Sequence, residues 1–425
     1  MARCEPGRTA PETQSSVAGG RSAGRPPRGG NTSRSMSFGI LFVLVLAGLA
    51  GPLFAADSRL LVPVIVGELV AGLALGRSGF AWLHPAQPTT AFLADIGFAM
   101  LMFTAGMHVP LRTPGLKRQL GKGGMAAGVA TVIAVGAGWA AAHLAHVPHA
   151  AVYAVVLASG SAAVLVPSLD EFGLLRDRDA LAVAAQVALA DVASIVAVPI
   201  ALRPHKALQA GLGVVAVAAC AAVLLLALRA FHDAKIVASV RRMSKQRAWA
   251  LDLRLSLLVL FGLCWLATRT GASILIAGFA IGLVVAAIGG PKRFSRQVTG
   301  VAQGFFVPLY FVVLGARIDV RDLVRHSAIV ELAVLLVAFN VGLHLIAALL
   351  TRQPVAAGLT ATVQLGVPAA VSTLGLQEGI LTGGEAAALM VAALASIAIS
   401  ELGVALLVRR ADATSTGATP GAPSP

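Results

Sequence analysis

Residues 180–202 of this chain, ALAVAAQVALADVASIVAVPIAL, are largely apolar and carry one charged residue, the carboxylate Asp191, in the middle. As a helix rising 1.5 Å per residue, this run is long enough to cross a bilayer and holds Asp191 roughly 16 Å from either end, near the midplane. Lipid offers backbone groups no water to bond, so only helices and closed barrels span it, and long unbroken apolar runs select helices. A charged Asp at that depth costs about 2.5–3.5 kcal/mol on insertion scales. A residue kept against that cost is a candidate site. The competing reading is an acid held protonated, or paired with a base, to join helices.

Composition extends the membrane reading to the whole chain. Apolar residues make up 57%, charged residues only 12%, and the mean hydropathy is +0.84, about half the charge of a soluble domain. The net charge of +14 does not point to nucleic acid, because the basic residues sit in short loops, where they set orientation. Cys4, Cys220 and Cys264 are scattered and suggest neither disulfides nor a metal site. No nucleophile, cofactor or nucleotide motif is present, so an enzyme is not expected.

Residues 1–35 are rich in Arg, Gly, Ser and Pro and read as a disordered extension, with Met36 a candidate start. Residues 36–410 form the membrane domain. Thirteen candidate spans follow one another at 38–54, 60–76, 91–109, 123–144, 149–169, 180–202, 207–229, 253–268, 271–289, 304–316, 327–350, 355–376 and 384–408. Residues 411–425 read as a disordered tail with no regulatory domain attached. With alternate loops on opposite sides, 20 Lys and Arg fall on one side and 7 on the other, leaving aside residues 1–35. The richer side includes the C-terminus, which is therefore expected to be cytoplasmic, in a multi-pass protein of the inner (plasma) membrane.

Three pairs of segments resemble one another seven spans apart. VPVIVGELVAGLALG (62–76) lies over ASILIAGFAIGLVVA (272–286), FTAGMHVPL (103–111) over VVLGARIDV (312–320), and Ser161 to Val164 over Pro368 to Val371. An odd offset inverts the second copy, the build of many secondary transporters, whose sites lie at the midplane beside broken helices. Two spans look broken. The fifth contains Ser159, Gly160, Ser161, Pro167 and Ser168; the twelfth contains Gln364, Gly366, Pro368, Ser372, Thr373 and Gly375. Interrupted backbone frees carbonyls for a cation or water. Together with Asp191, these hydroxyls, amides and carbonyls make a hard-oxygen set suited to Na+ or K+.

PVIVGELVAGLALGRSG (63–79), LADIGFAMLMFTAGMHV (93–109), the Ser-rich stretch at 159–169, the Asp191 span and FFVPLYFVVLGARIDV (305–320) together resemble the membrane domain of the second monovalent cation:proton antiporter family, which includes Kef-type potassium/proton and bacterial Na+/H+ antiporters. The resemblance runs in order from about 38 to 408. It implies a homodimer in which a core moves like an elevator against a fixed dimerisation domain, with the fifth and twelfth spans crossing at the ion. It also implies that Asp191 binds ion and proton, with Ser161 near the hydroxyl of the first broken helix. Three positions depart from the pattern: Ala190 stands where Asp, Asn or Gln is usual, Asn340 where many members carry a base, and His108 where Glu is frequent. One carboxylate without a basic partner argues for one-for-one, electroneutral exchange, in which proton and cation compete for Asp191.

Other polar residues have plainer readings. Glu68 is expected to be structural or interfacial, and Glu331 and Glu401 lie near span ends. His143, His146 and His149 form a solvated outer cluster with a pH-sensing alternative. Arg241, Arg242, Lys245 and Arg247 suggest an interfacial helix on anionic lipid. The alternatives to a cation:proton antiporter are an ion-coupled symporter of an organic solute and a channel; no repeated filter motif favours the channel.

Overall fold

A computed structural model describes residues 37–56, 64–230, 251–270, 272–289, 292–318 and 327–416. Its regular structure is helical, with no strand among the described residues. The helices are α1 (Phe38–Gly48), α2 (Ala50–Ala55), α3 (Val64–Leu75), α4 (Pro88–Met107), α5 (Leu116–Leu144), α6 (Ala150–Leu157), α7 (Ala162–Glu171), α8 (Arg178–Leu202) and α9 (Ala207–Ala230). After a gap come α10 (Leu251–Thr270), α11 (Ile274–Ile288), α12 (Lys292–Val301), a π-helical turn at Ala302–Phe306, α13 (Val307–Arg317), α14 (Ser327–Leu350), α15 (Val355–Thr360), α16 (Gly366–Gln377) and α17 (Gly383–Thr416). Among the described residues, ten helical segments are long and apolar enough to cross a membrane, and α3 and α11 are shorter apolar helices.

Every expected span window holds a helix or a pair of them, but several ends differ. α5 starts at Leu116, so Lys117, Arg118 and Lys122 ride on the helix instead of in a loop. A helix leaving the hydrocarbon meets water, where charge no longer opposes it, so hydropathy marks the lipid boundary and not the helix end. Pro114 and the left-handed Gly115, φ 85°, set the true start. α17 runs past its window for the same reason. The basic run of residues 241–247, the extension before Ser37 and the end of the tail lie outside the described residues.

Packing repeats the internal duplication. α3 packs on α13, and α4 packs on α11, which is one contact seen twice once each helix is exchanged for its partner seven spans away. The glycines agree residue by residue. Gly72 abuts the backbone of Val312 and Gly282 that of Phe103, while Gly315 abuts Leu69 and Gly106 abuts Phe279. Such backbone approach leaves no room for a Cβ, which is why Gly72-Leu73 and Gly282-Leu283 recur in matched places.

α8 is the most enclosed of the ten apolar segments, with 72% of its apolar window buried against 17% for the α9 and α10 segments. Asp191 is buried, and its helix packs on α5, α6, α7 and α16.

Candidate functional site

α6 ends at Leu157 and α7 begins at Ala162, so the fifth span is interrupted at residues 158–161. Ser161 adopts an extended conformation, φ −141° and ψ 91°, and its side chain does not cap the helix it precedes. The cap comes from across the fold: Ala162 N–H donates to Asp191 Oδ2 at 3.1 Å. Asp191 is 2% exposed. The first N–H groups of α7 have no partner within their helix, and the positive end of its dipole favours an anion there. Gly160 allows the approach, since a Cβ on it would stand 2.8 Å from Val187 O and 2.9 Å from Val187 Cγ1 of α8. Ser159 Oγ is spent on Val156 O at 2.7 Å, and Ser194 Oγ donates to Ala190 O at 2.7 Å and Asp191 O at 3.1 Å.

The twelfth span is interrupted between Thr360 and Gly366. Gly366 and Pro368 occupy the first turn of α16, where a missing N–H costs nothing. Gln364 N–H donates to Ser396 Oγ of α17 at 3.0 Å, Ser400 Oγ to Thr360 O at 2.8 Å, and Asn340 Nδ2 to Thr362 O at 2.8 Å. Gln364 Nε2 reaches Asn340 Oδ1 at 3.0 Å and Leu157 O at 3.3 Å. Leu157 closes α6, so Gln364 ties one break to the other.

Of the four residues singled out as helix breakers, Pro167 requires correction. It lies inside α7, where its ring removes only the bond to the Ala163 carbonyl; the interruption lies upstream, at residues 158–161. Among the lesser candidates, Glu68 is buried with Oε2 unpartnered, and Glu401 Oε2 accepts from Ser168 Oγ at 3.0 Å, joining α17 to α7. Glu331 is exposed. His143 stacks on Trp139, with ring centroids 5.3 Å apart, and His108 Nδ1 pairs with Thr104 O at 2.7 Å.

Three participants escape sequence reasoning. Ser396 looks like any hydroxyl that bonds its own helix. Asn340 registers only as a departure from a pattern, not as the bridge that holds Gln364. Glu385, which accepts from Tyr153 OH at 2.7 Å, has a local signal: Thr382 and Glu385 cap each other across three residues at the start of α17.

A family model described as "Sodium/hydrogen exchanger, transmembrane" matches residues 41–410. The chain is 24% identical over 378 residues to YjbQ of Bacillus subtilis, provisionally named a Na+/H+ antiporter, the match covering 84% of this chain and 61% of that protein. The chain thus spans about three-fifths of that relative's length. It is 22% identical over 296 residues to GerN of Bacillus cereus, named a Na+/H+-K+ antiporter, covering 66% of this chain and 71% of the relative. The solved structure of the sodium proton antiporter MjNhaP1 from Methanocaldococcus jannaschii superposes with a TM-score of 0.59 at 16% identity, covering 89% of this chain and 97% of that one, and shares its fold.

Proposed function

The chain belongs to the sodium/hydrogen exchanger family, and from that premise we propose that it exchanges a monovalent cation, Na+ or K+, for protons by alternating access. The observation that carries this reading is the carboxylate of Asp191 at the start of the second half-helix, buried and tied to one backbone N–H. A buried carboxylate is neutralised by a proton or by a cation, not both, so the two ligands compete for one place. The cation replaces its water with Asp191, the carbonyls freed at 158–160 and the hydroxyl of Ser161, whose own carbonyl is taken by the N–H groups of Val164 and Leu165. The Gln364 amide, whose nitrogen is committed to Leu157 and Asn340, offers its remaining oxygen.

Exchange is one for one and electroneutral in this reading. In support, no Lys or Arg is buried among the described residues, and the crossing is bridged by the uncharged Asn340. A carrier loaded with either ligand crosses neutral and avoids moving a bare charge through lipid. The working unit is a homodimer of the 36–410 domain in the inner membrane, C-terminus cytoplasmic, with the helices around the two breaks moving as one body. The relatives named for Na+ and K+ support the choice of cations.

The test is cation-induced dequenching of a trapped pH dye in proteoliposomes, with Na+ and K+ added separately to wild type and to Asp191→Asn. A wild-type response that the variant lacks supports the reading, and the better cation names the substrate. A silent wild type with every monovalent cation sinks it.

A further inference from the structure

Two adjoining cavities lie beside the first turns of α5 and the last turns of α9. The first, about 740 Å³, is lined by Arg112, Lys117, Arg118 and Arg229, and no carboxylate is among its described lining residues. None of these four cations is in an ion pair among the described residues; Arg112 Nη1 donates to Ile288 O at 2.7 Å. Lys117 and Arg118 stand in the first turn of α5, where the helix dipole disfavours positive charge. An anion bound there would relieve both the dipole and the mutual repulsion.

The second cavity, about 460 Å³, is lined by apolar side chains alone, including Leu120 of α5, Leu189 of α8, Leu225 of α9 and Leu283 of α11. Leu111 and Ala287 line both cavities, so the basic pocket adjoins the apolar cleft. A free phosphate would use only the first. A molecule with a phosphate head and a hydrocarbon tail fits both.

We propose that the two cavities form one binding site for an anionic phospholipid, its headgroup among the four cations and an acyl chain along the cleft. The site would couple lipid to transport, because the cleft wall includes α8, the helix of Asp191. A lipid wedged there holds α8 against α9 and α11.

Native mass spectrometry on the detergent-purified full chain tests this, with phosphatidylglycerol and phosphatidylcholine titrated separately and inorganic phosphate as competitor. Wild type should retain phosphatidylglycerol in preference to phosphatidylcholine. The triple variant Lys117→Gln, Arg118→Gln, Arg229→Gln leaves the Arg112 contact intact and should bind phosphatidylglycerol about tenfold or more weakly, three headgroup charges being lost. Ala222→Trp fills the cleft without touching a charge and should weaken phosphatidylglycerol binding as well. Equal retention of the two lipids by wild type, or undiminished binding in either variant, overturns the proposal. Displacement of the lipid by inorganic phosphate, with Ala222→Trp unaffected, assigns the pocket to free phosphate instead. Because the two variants alter different parts of the site, the charged pocket and the apolar cleft, a folding failure in one, visible by size exclusion, leaves the other decisive.

Discussion

At the first break the N–H of Ala162 is met by a carboxylate of α8, whereas at the second the N–H of Gln364 is met by the hydroxyl of Ser396 on α17. The two breaks belong to helices seven spans apart, and α8 and α17 are likewise related by that offset, so the same structural demand is answered twice with different chemistry. A buried hydroxyl stays neutral whatever the pH and simply completes the backbone. A buried carboxylate needs a proton or a cation to do so. The second break is also tied down by Asn340, Ser400 and Thr362, while at the first the Ser161 side chain makes no cap and the carboxylate alone meets the helix start. In the proposed reading, duplication yields one scaffold and one reactive site.

If that division holds, substitutions at matched places should differ in kind. The largest effect is expected for Asp191→Asn: the amide oxygen still accepts from Ala162, so the melting temperature should stay near wild type while cation-driven proton movement falls to that of protein-free liposomes. Gln364→Ala leaves the buried acceptors Leu157 O and Asn340 Oδ1 without their donor, at about 1–3 kcal/mol for each. It should lower thermal stability measurably and slow exchange, since the breaks lose their bridge. Gly160→Ala forces a Cβ against Val187, an overpacking cost of about 1–3 kcal/mol. Because it displaces α8 at the break, half-saturation by the cation should rise in a dequenching titration. Ser396→Ala removes the second cap, about 1 kcal/mol, together with the hydroxyl's own donation to Ala393 O and Gln364 O, and should melt earlier yet still exchange. The smallest effect falls on Arg203→Gln, which breaks a partly exposed ion pair with Glu378 worth under about 1 kcal/mol. Transport there should be unchanged. An Ser396→Ala variant as silent as Asp191→Asn would break the division between scaffold and site.

Asp191 is legible in sequence because one charge in a largely apolar span of 23 residues is costly wherever the helix packs. The breaks are legible because Ser159-Gly160-Ser161 and Gln364 to Pro368 collect residues that resist an unbroken helix. Pro167 misleads because a proline's effect depends on its position relative to a helix start, and that start is set by the extended backbone at Ser161. The repeat is legible through Gly72 and Gly282, whose close contacts admit no side chain. Ser396 stays hidden for the opposite reason: Thr104, Thr131 and Thr270 are also hydroxyls in apolar helices, and each simply bonds a carbonyl of its own helix. The partner of such a hydroxyl is decided by tertiary packing. Asn340 is hidden likewise, because its amide bridges Thr362 and Gln364, which lie on another span.

Competition at one carboxylate is tested most directly by counting protons released when a cation binds to purified protein in weakly buffered detergent solution, with a pH indicator and the bound cation measured together. Sharing of Asp191 predicts one proton released per cation bound in wild type and none in Asp191→Asn. Cation binding that releases no proton in wild type, or release that persists in the variant, would contradict it.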